Sequence, residues 1–218
     1  MLKDIESAKS PENAITIISE KECDDARVEL RRIFNEVFPS QQEISVIPIL
    51  RSGLRLGQEL TEPLGIELNP MRMSYYNDDT SRLPKPICLI HPNITQIISL
   101  DGTTKKVIFT ECVVDSQETI LAAMEEINTT IDALGVQTNQ KLAYPEYSVF
   151  AYVSKIGDGA IRIPNLVAAF SVHPDIWVGG LGCDLPGDLA RDLPYLVGIL
   201  SPFSTNIPKK PYYISILG

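Results

Sequence analysis

The chain has 218 residues, a length that suits one domain with or without a small appendage, because single cores stop growing at roughly 250–300 residues. Its 44% hydrophobic and 22% charged residues are the balance of a globular protein. Nineteen basic against 28 acidic residues leave a net charge of −9, which repels phosphate backbones and anionic lipid at long range and argues against a general nucleic-acid or membrane-surface protein. A small anionic substrate stays compatible with that field, since local basic side chains and backbone amides can hold it.

In chain order, the start MLKDIESAKSPEN lacks the apolar stretch of a secretory signal, and no later apolar run approaches the ~20 residues of a membrane span. Residues 22–38 place Ala26, Val28, Leu30, Ile33, Phe34, Val37 and Phe38 at mostly helical spacing. ISVIPIL, 44–50, reads as a strand buried on both faces. The turn Arg51-Ser52-Gly53 follows, and then a helix stopped by Pro63 and Gly65. A strand is expected over 66–76, bent at Pro70. Residues 77–105, rich in Asp, Pro, Asn and Thr, read as a long excursion with room for a hairpin and for a binding loop.

VIFTECVV, 107–114, is another buried strand, and it feeds a helix at 116–134 with Ile120, Met124, Ile127, Ile131 and Leu134 on one face. Further strands are expected at 147–154, 166–172, 176–180 and 195–200. Strands alternating with helices predict an α/β fold, a parallel sheet with helices on both faces. Ligands of such sheets bind beyond the carboxyl ends of the strands, which directs attention to 51–53, 111–119, 155 and 177–191. Cys23, Cys88, Cys112 and Cys183 lie far apart without a CxxC pair, as reduced thiols in a cytoplasm would. His91 and His173 are the only histidines, too few for a multi-histidine metal centre.

The segment 105–120, KKVIFTECVVDSQETI, holds the densest chemistry. Glu111 sits near a strand end, Asp115 follows, and a polar turn opens a helix whose first amides have no internal partners and can receive a phosphate, with Thr119 adding a hydroxyl. The plainer alternative makes Asp115 an N-cap and Glu118, three residues on, the other half of a capping box.

Four segments in order, VIPILRSGL (46–54), MRMSYYNDDTS (71–81), Glu111-Cys112-Val113-Val114-Asp115-Ser116-Gln117-Glu118-Thr119, and PDIWVGGLGCDLPGDLARDLPYLVGIL (174–200), resemble the purine phosphoribosyltransferases of the hypoxanthine-guanine-xanthine type. The first is closer still to uracil phosphoribosyltransferases. The resemblance implies a type I phosphoribosyltransferase-like fold: a central parallel sheet flanked by helices, with a small hood formed by terminal segments and a mobile loop. It implies one domain over 1–218, with a core at about 40–202 and the N-terminal helix and C-terminal tail as hood or appendage. The implied activity is Mg²⁺-dependent transfer of phosphoribose from phosphoribosyl pyrophosphate to a 6-oxopurine nucleobase. Uracil transfer and a non-catalytic, nucleotide-binding regulatory relative are the alternatives. Homodimers or homotetramers go with the family.

Carried residue by residue, the resemblance gives Leu50, Arg51 and Ser52 the pyrophosphate loop, with Arg191 also on pyrophosphate. Glu111 and Cys112 fall at the ribose hydroxyls, and Asp184 with Glu111 on the metal side. Asp115 stands as proton acceptor near the purine N7, and Ser116, Gln117, Glu118 and Thr119 around the 5′-phosphate. Lys155 falls on the exocyclic oxygen of the base, Trp177 and Val178 on its ring and edge, and Ser74 and Tyr75 at the mobile loop. The plain alternatives are a solvated Arg51 or Lys155, a Glu111 paired with a lysine, and a Trp177 that fills core. Two departures stand out. Cys112 replaces an acid, which removes a strong acceptor from one ribose hydroxyl. Gln117 replaces a glycine, which removes easy access to positive φ.

Overall fold

The computed structural model describes residues 14–76, 82–99, 101–156, 161–185, 190–200 and 212–213. It begins with β1 (Ile15–Ile18) and α1 (Glu20–Val37). A capping box opens α1: the Glu22 amide donates to Ser19 Oγ, and the Ser19 amide donates back to Glu22 Oε2 at 2.8 Å. Next come β2 (Ile44–Leu50), α2 (Leu54–Thr61), β3 (Met71–Tyr76) and β4 (Arg82–Ile90). The second half holds β5 (Lys106–Val114), α3 (Glu118–Thr138), β6 (Tyr147–Ser154), β7 (Leu166–Ser171), β8 (Ile176–Gly179), β9 (Leu196–Leu200) and β10 (Tyr212–Tyr213).

The main sheet runs β10-β7-β6-β5-β2-β3-β4, with β7, β6, β5, β2 and β3 parallel and the two edge strands antiparallel. The alternating directions of strand side chains divide its residues between two cores. In β5, Ile108 and Cys112 join the cluster under α1 and α2, whereas Val107, Phe109 and Val114 join the one under α3. Both faces of β5 are covered, which is why its sequence is a continuous apolar run.

A second sheet, β1-β9-β8, is antiparallel throughout and unites the start of the described chain with its last third. It is the hood the resemblance implied. Two elements expected as hood or appendage belong with the main sheet. α1 lays Cys23, Ala26, Leu30 and Phe34 into the main core, and β10 pairs with β7 at the sheet edge.

Most element boundaries agree with the sequence within a residue or two. The excursion at 77–105 contains β4, whose Pro84 and Pro86 hid its strand character; an edge strand tolerates proline because half of its amides face away from the sheet. The strand expected over 66–76 is regular only from Met71, with Leu68 forming an isolated bridge to Val46.

Gly53 joins β2 to α2 at a point of very close approach. A Cβ there would lie 1.9 Å from the Thr110 carbonyl oxygen, and the Thr110 hydroxyl donates to the Gly53 carbonyl at 2.9 Å. Gly53→Ala must push α2 away from β5. The expected result is a loss of about 1–3 kcal/mol, seen as a lower denaturant midpoint in equilibrium unfolding. An unchanged midpoint would show that the turn has slack.

Candidate active site

Two turns at the carboxyl ends of parallel strands, after β2 and after β5, and one loop of the hood, after β8, carry the candidate site. The first, 51–53, follows β2 and begins with a cis peptide between Leu50 and Arg51. Its Ser52 hydroxyl donates to Glu111 Oε1, the same oxygen that accepts the Cys112 amide at 2.9 Å. Glu111 lies in β5 and is buried. Desolvation outweighs both hydrogen bonds and pushes its carboxyl up to about 7.

Facing this turn is the loop that leaves β8. Gly180, Leu181 and Gly182 all have positive φ, at 101°, 52° and 101°. The loop closes on itself through paired bonds between Gly180 and Cys183, each 3.0 Å. Its outer amides are tied to residues further on: Gly182 N–H donates to the Arg191 carbonyl at 2.9 Å and Leu181 N–H to the Leu193 carbonyl at 3.0 Å. This geometry sets Arg191 beside Asp184. Arg191 grips Asp184 through Nε and Nη2, and Arg51 Nη2 reaches the same carboxylate at 3.3 Å. A Cβ on Gly182 would lie 3.0 Å from the Ser52 carbonyl, so the two turns pack backbone to backbone. Two guanidinium groups from distant stretches thus share one aspartate at the end of the sheet.

The second turn, 115–117, follows β5. Lys155, buried at the end of β6, extends its Nζ to Asp115 Oδ2 at 2.9 Å. The N-cap of α3 is Gln117, with no side-chain cap, so Asp115 is not the N-cap and the Asp115–Glu118 capping box does not form. Gln117 holds φ 67°, the left-handed conformation its glycine counterpart would take freely, at a cost of roughly 1–2 kcal/mol for a residue with a Cβ. Its side-chain oxygen accepts from the Arg162 amide at 2.7 Å and the Ile163 amide at 3.2 Å, which offsets that cost.

Cys112 is buried and donates its thiol to the Gly180 carbonyl at 3.6 Å, so it ties β5 to the hood loop. Burial, and then the Cys112 side chain, push the neighbouring Cys183 thiol well up, so Cys183 stays protonated and chemically quiet. The buried Val178 and the exposed Trp177 sit in β8 of the hood. Thr119 lies in the first turn of α3. Ser74 and Tyr75 are in β3, and the stretch 77–81 beyond them, where a mobile loop was expected, lies outside the described residues.

Of the residues singled out in the sequence, the structure brings Arg51 and Arg191 onto Asp184, Ser52 onto Glu111, and Lys155 onto Asp115. Sequence reasoning missed Arg162, whose Nη2 donates to the Ser116 carbonyl at 2.8 Å and to Glu118 Oε1 at 2.6 Å. The available signal was a lone basic residue shortly after Lys155, in the loop from β6 to β7 at the same end of the sheet.

No protein-family model and no curated protein sequence matches the chain. Solved structures do match. A hypoxanthine-guanine phosphoribosyltransferase from Bacillus anthracis is 19% identical, with a TM-score of 0.59, over 85% of this chain and 97% of that one. A hypoxanthine phosphoribosyltransferase from Staphylococcus aureus is 17% identical, with a TM-score of 0.60, over 88% and 94%. A mutant hypoxanthine phosphoribosyltransferase from Trypanosoma cruzi, solved with its substrates as a ternary complex, is 17% identical, with a TM-score of 0.63, over 88% and 98%. At these identities the likeness establishes the fold, and it is the type I phosphoribosyltransferase fold.

Glu111 gives the site a pH signature. Its folded pKa, about 7, lies above the ordinary 4.5, so the protonated form is favoured in the folded protein. Its contribution to stability is complete below about pH 4.5 and is lost as pH rises through 7. The stability difference between the parent chain and Glu111→Gln should shift by about 3 kcal/mol over that window, against the parent at high pH. Denaturant titrations at several pH values measure it, and parallel stability curves would contradict it.

Proposed function

We propose that the chain transfers the 5-phosphoribosyl group from phosphoribosyl pyrophosphate to a 6-oxopurine, hypoxanthine, guanine or xanthine, and releases pyrophosphate, as a purine-salvage enzyme. The observation that carries this reading is the meeting of Arg51 and Arg191 on Asp184 beside the 51–53 turn. It gathers two cations at one end of the sheet, an arrangement that suits a leaving pyrophosphate.

The reaction breaks the bond from the ribose anomeric carbon to the pyrophosphate oxygen and forms one to a base nitrogen, through an oxocarbenium-like state. Such a step needs positioning, charge stabilisation and a proton acceptor rather than a covalent nucleophile. On this reading Arg51, Arg191 and the amides of the 51–53 turn stabilise the departing pyrophosphate. Glu111 faces the ribose hydroxyls. Asp115 accepts the proton from the base while Lys155 holds its carboxylate in place and donates to the exocyclic oxygen. Trp177, more than half exposed on β8, offers the base a stacking face, and the amides of 116–119 take the 5′-phosphate.

The reading implies Mg²⁺ as well. Among the described residues no group of three or more acidic, histidine or cysteine side chains forms a cage, and Mg²⁺ commonly uses one or two carboxylates with substrate phosphate oxygens and water. Asp184 and Glu111 would hold it, and when bound it supplies neutralising charge to pyrophosphate. Free thiols at Cys23, Cys88, Cys112 and Cys183 agree with a cytoplasmic setting.

One observation favours a second reading, a nucleotide-binding protein without turnover: the Cys112 thiol is spent on the Gly180 carbonyl and offers no carboxylate to a ribose hydroxyl. Incubation with phosphoribosyl pyrophosphate, Mg²⁺ and a panel of hypoxanthine, guanine, xanthine and uracil separates the readings. Nucleotide should form with at least one oxopurine. Tight nucleotide binding with every base inert would establish the second reading, and turnover with uracil alone would reassign the base. Asp115→Asn should slow turnover by about 10²–10⁴-fold, and an unchanged rate would remove the proton-acceptor role.

A further inference from the structure

We propose that Arg162 is a positioning residue for the 5′-phosphate: it orients the turn 115–119 and masks the charge of Glu118, so that a phosphate dianion can dock there. The inference rests on the functional reading above, and no segment of the resemblance covers Arg162.

Four contacts converge on the turn from the loop between β6 and β7. The amides of Arg162 and Ile163 hold Gln117 Oε1, and so fix the left-handed residue that precedes α3. Arg162 Nη2 then donates to the Ser116 carbonyl. In a trans peptide the C=O and N–H point in opposite directions, so a Ser116 carbonyl turned to Arg162 sends the Gln117 N–H the other way. Amides at the start of a helix such as α3 are the kind of donor an anion uses.

Left alone, the Ser116 carbonyl can swing into the turn and present a lone pair where a phosphate oxygen would sit. The same Nη2 also binds Glu118 Oε1. Glu118 is the one acid within the first turn of α3, and its carboxylate would otherwise repel a dianion at close range. Arg162 is half exposed, so the pair adds little to stability and its effect falls on the ligand instead. The backbone at Arg162 and Ile163 thus secures Gln117, while the Arg162 side chain acts on Ser116 and Glu118.

The test is calorimetric titration of the full chain with inosine 5′-monophosphate and, separately, with inorganic pyrophosphate. Arg162→Gln should weaken inosine monophosphate binding roughly 10- to 100-fold, the range of a charge-assisted contact. Pyrophosphate binding, placed near Arg51 and Arg191, should stay within about twofold. Arg162→Lys, which keeps a cation able to reach the carbonyl and the carboxylate, should recover most of the nucleotide affinity. Adding Glu118→Gln to Arg162→Gln should recover part of it, because the unmasked charge is then gone.

Unchanged nucleotide affinity in Arg162→Gln, or an equal loss for both ligands, would overturn the inference while leaving the functional reading in place. A parent chain that binds pyrophosphate and no nucleoside monophosphate would overturn both.

Discussion

The near-contact between the Gly53 backbone and the Thr110 carbonyl governs the rest of the site. It allows the turn after β2 to lie directly against β5, with no side chain between them. Ser52 then reaches Glu111, and the turn from the hood loop can rest on the Ser52 carbonyl. Displacing the first turn by the width of a methyl group would separate Arg51 from Asp184. The assembly of charged groups is therefore set by backbone packing, and the ion pairs decorate a distance already fixed.

The fold was legible because its signal is redundant. Four of the parallel strands, β2, β5, β6 and β7, are buried along most of their length and write long apolar runs into the sequence, and α3 repeats its apolar residues at helical spacing. What stayed hidden was local. β4 carries prolines and exposed Ile87, Leu89 and Ile90, so it lacks the alternation of a half-buried strand. The Asp115 cap was a sound inference from spacing, yet the side chain found a stronger partner in Lys155, 40 residues away. Propensity cannot see a cation that arrives from another strand.

The site was legible to the extent that motifs recorded it. Asp115, Lys155, Asp184 and Arg191 were singled out by their order along the chain, and the pairing of Asp115 with Lys155 and of Asp184 with Arg191 required the structure. The two departures read differently once their contacts are known. Gln117 keeps the backbone conformation expected of glycine because its side chain satisfies two amides across the loop. Cys112 gives up an acid's function and becomes a packing residue with a weak bond to Gly180. One substitution is compensated in place, whereas the other redirects the side chain from ligand to scaffold.

The hood has a consequence for how the protein assembles. β1 pairs Ile15 with Gly198, so this small sheet is stitched from opposite ends of the chain, while each parallel pair of the main sheet joins residues far closer in sequence. Closing so long a loop carries the largest entropic penalty in the fold for the fewest strands gained. The chain-entropy cost of the hood therefore falls on the pairing of β1 with β9, whereas β8, which bears Trp177, pairs with β9 locally.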